Sequence, residues 1–99
     1  MPISVDVRAY TGETLAACTH RAIGELCRRA ATLAFPMLGH VDPYDDTWFN
    51  TSQMRVVVPE LEALMNSASP PEAEAAAEVL ALAEELRHKP HRYLVFVGD

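Results

Sequence analysis

The sequence predicts a small single-domain α+β or α/β fold, ordered strand-helix-helix-helix-strand. Three observations predict it. Both ends of the chain have strand character, the interior carries three apolar stripes at helical spacing, and 99 residues with 49% apolar content suffice for one hydrophobic core. A domain of this length buries about 65% of its unfolded-chain surface, which leaves little room for a large internal substrate cavity. Any site is therefore expected in a surface groove, at a helix end or at a dimer interface.

Residues 3–9, Ile-Ser-Val-Asp-Val-Arg-Ala, alternate apolar and polar side chains with period two, as a strand with one wet face does. Thr11-Gly12 ends this strand. Thr11 or Thr14 then caps a helix expected to run to about Leu33, with Glu13 near its positive end. Its stripe is Leu15, Thr19, Ala22, Ile23, Leu26, Ala30 and Leu33, and Pro36 stops it. Cys18 and Cys27 fall nine residues apart on this predicted helix, separated by about 13 Å of rise and on nearly opposite faces. A disulfide needs Cα atoms within about 7 Å, so both are read as reduced thiols of a cytoplasmic protein.

Residues 35–49 read as a loop, marked by Gly39, Pro43 and the Asp45-Asp46 pair. Four of the chain's seven aromatics, Phe35, Tyr44, Trp48 and Phe49, lie in it, so the loop is expected to be packed down. Asn50 and Gln53 fit a variant capping box at the start of the next helix, whose stripe is Met54, Val57, Leu61, Leu64 and Met65. Pro59 inside this pattern either kinks the helix near Arg55 and Val56 or, in a competing reading, starts it after a strand at Arg55–Val58. Ser69-Pro70-Pro71-Glu72 is a third helix start: a serine cap, proline in the first turn and an acid at the third position. That helix is expected to reach about His88, with Ala75, Val79, Leu82 and Leu86 inward and Pro90 as its stop. Arg92-Tyr93-Leu94-Val95-Phe96-Val97 is a strong strand former, expected beside residues 3–9. Two strands alone are marginal, so either Arg55–Val58 adds one or a second copy of the chain completes the sheet as a homodimer.

Charge narrows the partners. The formal net charge is -6, and residues 42–85 hold ten carboxylates against a single basic residue, Arg55. Such a balance argues against nucleic acid as the main partner, since phosphate neutralisation needs a dense basic surface. It suits a basic protein or a cation. No run of about 18 apolar residues is present to span a bilayer, and the first residues lack the pattern of a secretory signal. Arg21, Arg28 and Arg29 are expected to pair with Glu25 or with the acidic middle segment. His88 and His91, near Lys89 and Arg92, form either a solvated basic helix end or a small anion-binding patch.

Polar groups and aromatics converge in one segment, Asp42-x-Tyr44-Asp45-Asp46-Thr47-Trp48-Phe49-Asn50, preceded by His40. Three readings of it stand side by side. In the first, the carboxylates accept backbone hydrogen bonds in turns while the aromatics pack. In the second, the loop engages a basic partner, with Tyr44 and Trp48 as anchors and Asp42, Asp45 and Asp46 steering the encounter. In the third, His40, Asp42, Asp45 and Asp46 form a metal or catalytic site. The third fails the pattern of a calcium loop starting at Asp42, because Tyr44, Thr47 and Gln53 stand where an acid or amide, a glycine and a glutamate are needed. Zinc-ligand spacing, a phosphate loop and the hydrolase motifs are missing too, so no catalytic residue, metal ligand or cofactor is assigned.

The segment Asp42–Gln53, with the ending Phe96-Val97-Gly98-Asp99, resembles small uncharacterised bacterial proteins that share a D-x-Y-x-D-T-x-F-N-x-x-Q stretch and a terminal F-x-G-D. The resemblance covers mainly residues 42–65 and 93–99 and implies no particular activity. The functional expectation is thus a small acidic protein-binding module of regulatory, immunity or antitoxin type. The alternative is a small enzyme or metal-binding protein with a site near His40 and the aspartate cluster.

Overall fold

The first strand, β1 (Ser4–Ala9), buries Val5 and Val7 and leaves Ser4, Asp6 and Arg8 partly exposed, as its alternation requires. The computed structural model describes residues 3–98; Met1, Pro2 and Asp99, the last residue of the F-x-G-D ending, lie outside the described residues. After β1 the chain does not enter a helix. It turns through Gly12, whose φ of +92° is open to glycine at little cost, and returns as β2 (Thr14–Cys18), paired antiparallel with β1. The N–H of Gly12 donates to Ala9 O and that of Ala9 to Glu13 O, both at 2.9 Å, closing a hairpin. The predicted helix keeps only its second half, α1 (Ile23–Thr32), with Ile23, Leu26, Cys27 and Ala30 inward. The reason is pairing: Val5 lies opposite Cys18 and Val7 opposite Ala16, a ladder that outweighs the helical preference of Leu15-Ala16-Ala17.

The expected loop is also partly ordered. Leu38–His40 forms a short 3-10 turn, and Thr47–Asn50 is strand β3, which carries Trp48 and Phe49. Next come α2 (Met54–Ser67) and α3 (Pro70–Leu86), then β4 (Arg92–Val97). Arg55–Val58 is helical, and Pro59 lies inside α2. Asn50 and Gln53 make the reciprocal box: the Gln53 N–H donates to Asn50 Oδ1 at 2.9 Å and the Asn50 N–H to Gln53 Oε1 at 2.8 Å. At Ser69 the expected side-chain cap is absent. Pro70 and Pro71 bring no N–H to be capped, and the Ser69 hydroxyl donates instead to Glu72 Oε2 at 2.9 Å.

The strands form one antiparallel sheet in the order β2-β1-β4-β3. All four come from one chain, so the sheet needs neither a strand at 55–58 nor a second copy. The helices cover one face only. Val5, Val7, Cys18, Phe49, Leu94 and Phe96 from that face join Leu26, Met54, Leu61, Leu64, Val79 and Leu86 in a single core. Helix α3 lies across β4, β1 and β2, and α2 packs along α3. Ala75, Ala76 and Ala83, wholly buried, are the small side chains of α3 in that core. Arg29 of α1 and Glu72 of α3 tie the basic first third to the acidic middle, with Nε to Oε1 at 2.6 Å.

Candidate functional site

The uncovered face of the sheet carries its own organised layer. Asp6, Val95 and Trp48 lie opposite one another across β1, β4 and β3, and so do Arg8, Tyr93 and Asn50. Val95 is 0% exposed yet lies outside the helix-side core, because this layer covers it. Trp48 meets Tyr93 edge to face, with ring centroids 5.5 Å apart. The Arg8 guanidinium stands 5.3 Å from the Trp48 ring centre. Asp6 orients it by accepting from Nη2 at 2.8 Å and Nε at 3.1 Å, and Asp46 approaches its other amino group at 3.8 Å. Trp48 remains 44% exposed. Nothing in the sequence marks Arg8 and Tyr93 as neighbours, because cross-strand residues become adjacent only through the register.

The loop leading into β3 is held at several points. The Asp42 N–H donates to Thr47 Oγ1 at 3.0 Å, the Tyr44 N–H to Asp42 Oδ1 at 2.8 Å, and the Asp46 N–H to Asp45 Oδ1 at 2.8 Å. The last two each use one carboxylate oxygen, Oδ1 of Asp42 and Oδ1 of Asp45, while the first uses the Thr47 hydroxyl. Gly98 lies so close to the Asp45 backbone that a Cβ there would overlap the Asp45 N, C and O atoms. The two segments that carry the sequence resemblance therefore meet: β3 pairs with β4, and Gly98 abuts Asp45. Out of this fixed loop Tyr44 projects, 80% exposed. Between the loop and α1 runs a groove of about 530 Å³, lined by Ile3, Cys27, Arg28, Val41, Pro43 and Tyr44.

His40 is exposed on the 3-10 turn. Among the described residues it does not come together with Asp42, Asp45 and Asp46 closely enough to share an ion. A different set does: His20, Glu74 and Glu78 place one ligating atom each within 4.8 Å of one another. The sequence does not mark this set, because the helix expected through residues 14–33 gives His20 no relation to Glu74, 54 residues further on, or to Glu78. The hairpin instead turns His20 toward α3, where its Nε2 lies 3.1 Å from Glu74 Oε1 and 3.9 Å from Glu78 Oε2. Its Nδ1, however, accepts the Ala22 N–H at 3.0 Å. The neutral ring must then carry its proton on Nε2, the nitrogen that faces the carboxylates. This is a hydrogen-bonded clasp between the β2–α1 turn and α3, and an ion there would first have to break His20 from Ala22.

Neither cysteine is poised as a nucleophile. Both are free. Burial pushes the Cys27 thiol up to about 12. Burial, reinforced by the Glu78 carboxylate that accepts its S–H at 3.4 Å, pushes Cys18 up as well. No helix among the described residues is long and apolar enough to cross a membrane. Comparison of the chain with protein-family models, with curated proteins and with solved structures finds no match.

Proposed function

We propose that the protein is a small acidic protein-binding module, regulatory in the manner of an immunity protein or antitoxin. In this reading it works in the reducing cytoplasm and masks a basic surface of a partner protein through Asp42, Tyr44, Asp45, Asp46 and Trp48. The observation that carries the proposal is Tyr44, a large ring 80% exposed on a loop fixed by three local hydrogen bonds and by Gly98. A backbone already held in place loses little freedom when the ring it carries docks, which favours Tyr44 as an interface anchor. Around it stand three carboxylates, whose remaining oxygens raise the rate of encounter with a basic surface. Trp48, braced by Tyr93 and Arg8, adds a second and more rigid edge to the same loop-to-strand segment.

Capture from extract of the native cell tests the proposal, with wild type, Tyr44→Ala and the triple variant Asp42→Asn/Asp45→Asn/Asp46→Asn immobilised in parallel. Wild type should retain a basic protein that raised salt releases and that neither variant retains. Retention of the same proteins by all three would contradict it.

A further inference from the structure

We infer that the pocket where the end of α3, the start of β4 and the turn before α2 meet binds the phosphate group of a small molecule. The pocket has a volume of about 410 Å³ and is lined by Arg87, His88, His91 and Arg92 on one side and by Thr51 and Ser52 on the other. This volume falls at the lower end of small-molecule sites. In a chain of net charge -6, residues 87–92 hold three of the eight Lys/Arg and two of the four histidines, and no acid. Only Arg87 has a carboxylate partner among the described residues, Glu84 at 2.9 Å, outside the lining.

Compensation of the α3 dipole accounts for cations at the end of that helix, at its C-cap Arg87 and the adjoining His88. It does not account for His91 and Arg92, which lie beyond the helix, nor for the opposite wall. That wall is the turn entering α2, which brings the Ser52 hydroxyl to the pocket. The walls are fixed to each other: the Thr51 hydroxyl donates to Lys89 O at 3.0 Å and Arg92 O at 3.4 Å. His91 is held at φ +60°, a costly conformation for a residue with a Cβ. Its carbonyl accepts the Tyr10 N–H at 3.1 Å, and its ring packs edge-on against Tyr10 at 5.8 Å. Two guanidinium groups, two imidazoles and the Ser52 hydroxyl make a donor set suited to phosphate oxygens.

The test titrates the full chain with inorganic phosphate and, separately, with phenyl phosphate at low ionic strength, following the Cε1–H resonances of all four histidines by NMR. Saturable shifts confined to His88 and His91 are expected, with His20 and His40 as silent internal references and chloride at matched ionic strength without effect. Affinity should fall about tenfold or more in Arg92→Gln and in His91→Gly, the latter a change that relieves the backbone while removing the imidazole. Tighter binding of the ester than of inorganic phosphate is expected; equal binding would make the free ion the ligand and overturn the assignment to a small molecule. Absence of saturation, equal shifts at all four histidines, or variants that bind as wild type does would each overturn the inference.

Discussion

Glu60 is a carboxylate 7% exposed in an otherwise apolar setting, and two backbone amides hold it there. The Leu38 N–H donates to its Oε1 at 2.8 Å and the Met37 N–H to its Oε2 at 3.1 Å, so a side chain of α2 caps the 3-10 turn that launches the candidate loop. Glu60→Ala leaves both donors without a partner and should cost about 2–3 kcal/mol in chemical denaturation, whereas a change near zero would mean that water replaces the carboxylate. Glu72 is the other buried acid. The Arg29 guanidinium, with help from the Ser69 hydroxyl, holds its carboxyl below the ordinary value of 4.5. A carboxyl so depressed contributes stability that is complete above its unfolded-state value and is lost as pH falls through its folded-state value. Thermal melts taken from neutral pH down through the acid range should therefore show Glu72→Gln losing less stability than wild type below about pH 4.5. Parallel loss in the two proteins would contradict this. In the sequence both glutamates belong to the acidic middle segment, with which Arg29 was expected to pair. The Leu38 amide and the Arg29 guanidinium stand 22 and 43 residues away, so the residues around Glu60 gave no sign of its burial, and those around Glu72 marked it only as the acid of the Ser69 helix start.

At the scale of elements, the first and last strands of the chain and its last two helices were legible, because each has a clear period or chemical punctuation; only Arg55–Val58 admitted a second reading, as a strand, and it is helical. The capping box at Asn50 and the proline-led start at Pro70 fell where the residues indicated. The stretch between Thr14 and Ala22 was not legible. Leu15-Ala16-Ala17-Cys18 is a short apolar run that fits either period, and alanine favours a helix until a neighbouring strand offers a ladder. The signal that was available is Thr11-Gly12, which marked a hairpin turn as much as a strand end. Because Gly12 sits at φ +92°, Gly12→Ala should destabilise the fold by about 1 kcal/mol or more, and an unchanged denaturation midpoint would show that the turn relaxes. Strand β3 was hidden for a related reason. It has four residues, and its pairing with β4 is fixed from outside by Tyr93–Phe96.

For the whole molecule, the helices leave one sheet face bare, and the chain has furnished that face with Asp6, Arg8, Trp48 and Tyr93. The carboxylates of residues 42–85 do not form one patch. Glu60 and Glu72 are internal, Glu74 and Glu78 clasp His20, and Asp42, Asp45 and Asp46 stand on the loop that enters β3. Of the candidate site, the sequence therefore showed which residues congregate along the chain, and the fold added what braces them: Gly98 behind Asp45, Thr47 behind Asp42, and Arg8 between Asp46 and Trp48. Stopped-flow association of the chain with a basic protein recovered by the capture experiment, measured over a range of ionic strength, probes the proposed docking role of this loop most directly. The wild-type rate constant should fall steeply with salt, Asp42→Asn/Asp45→Asn/Asp46→Asn should be slower by about tenfold or more at low salt with a flattened dependence, and Tyr44→Ala should act mainly on dissociation. Identical rates and identical salt slopes for wild type and the triple aspartate variant would contradict the account.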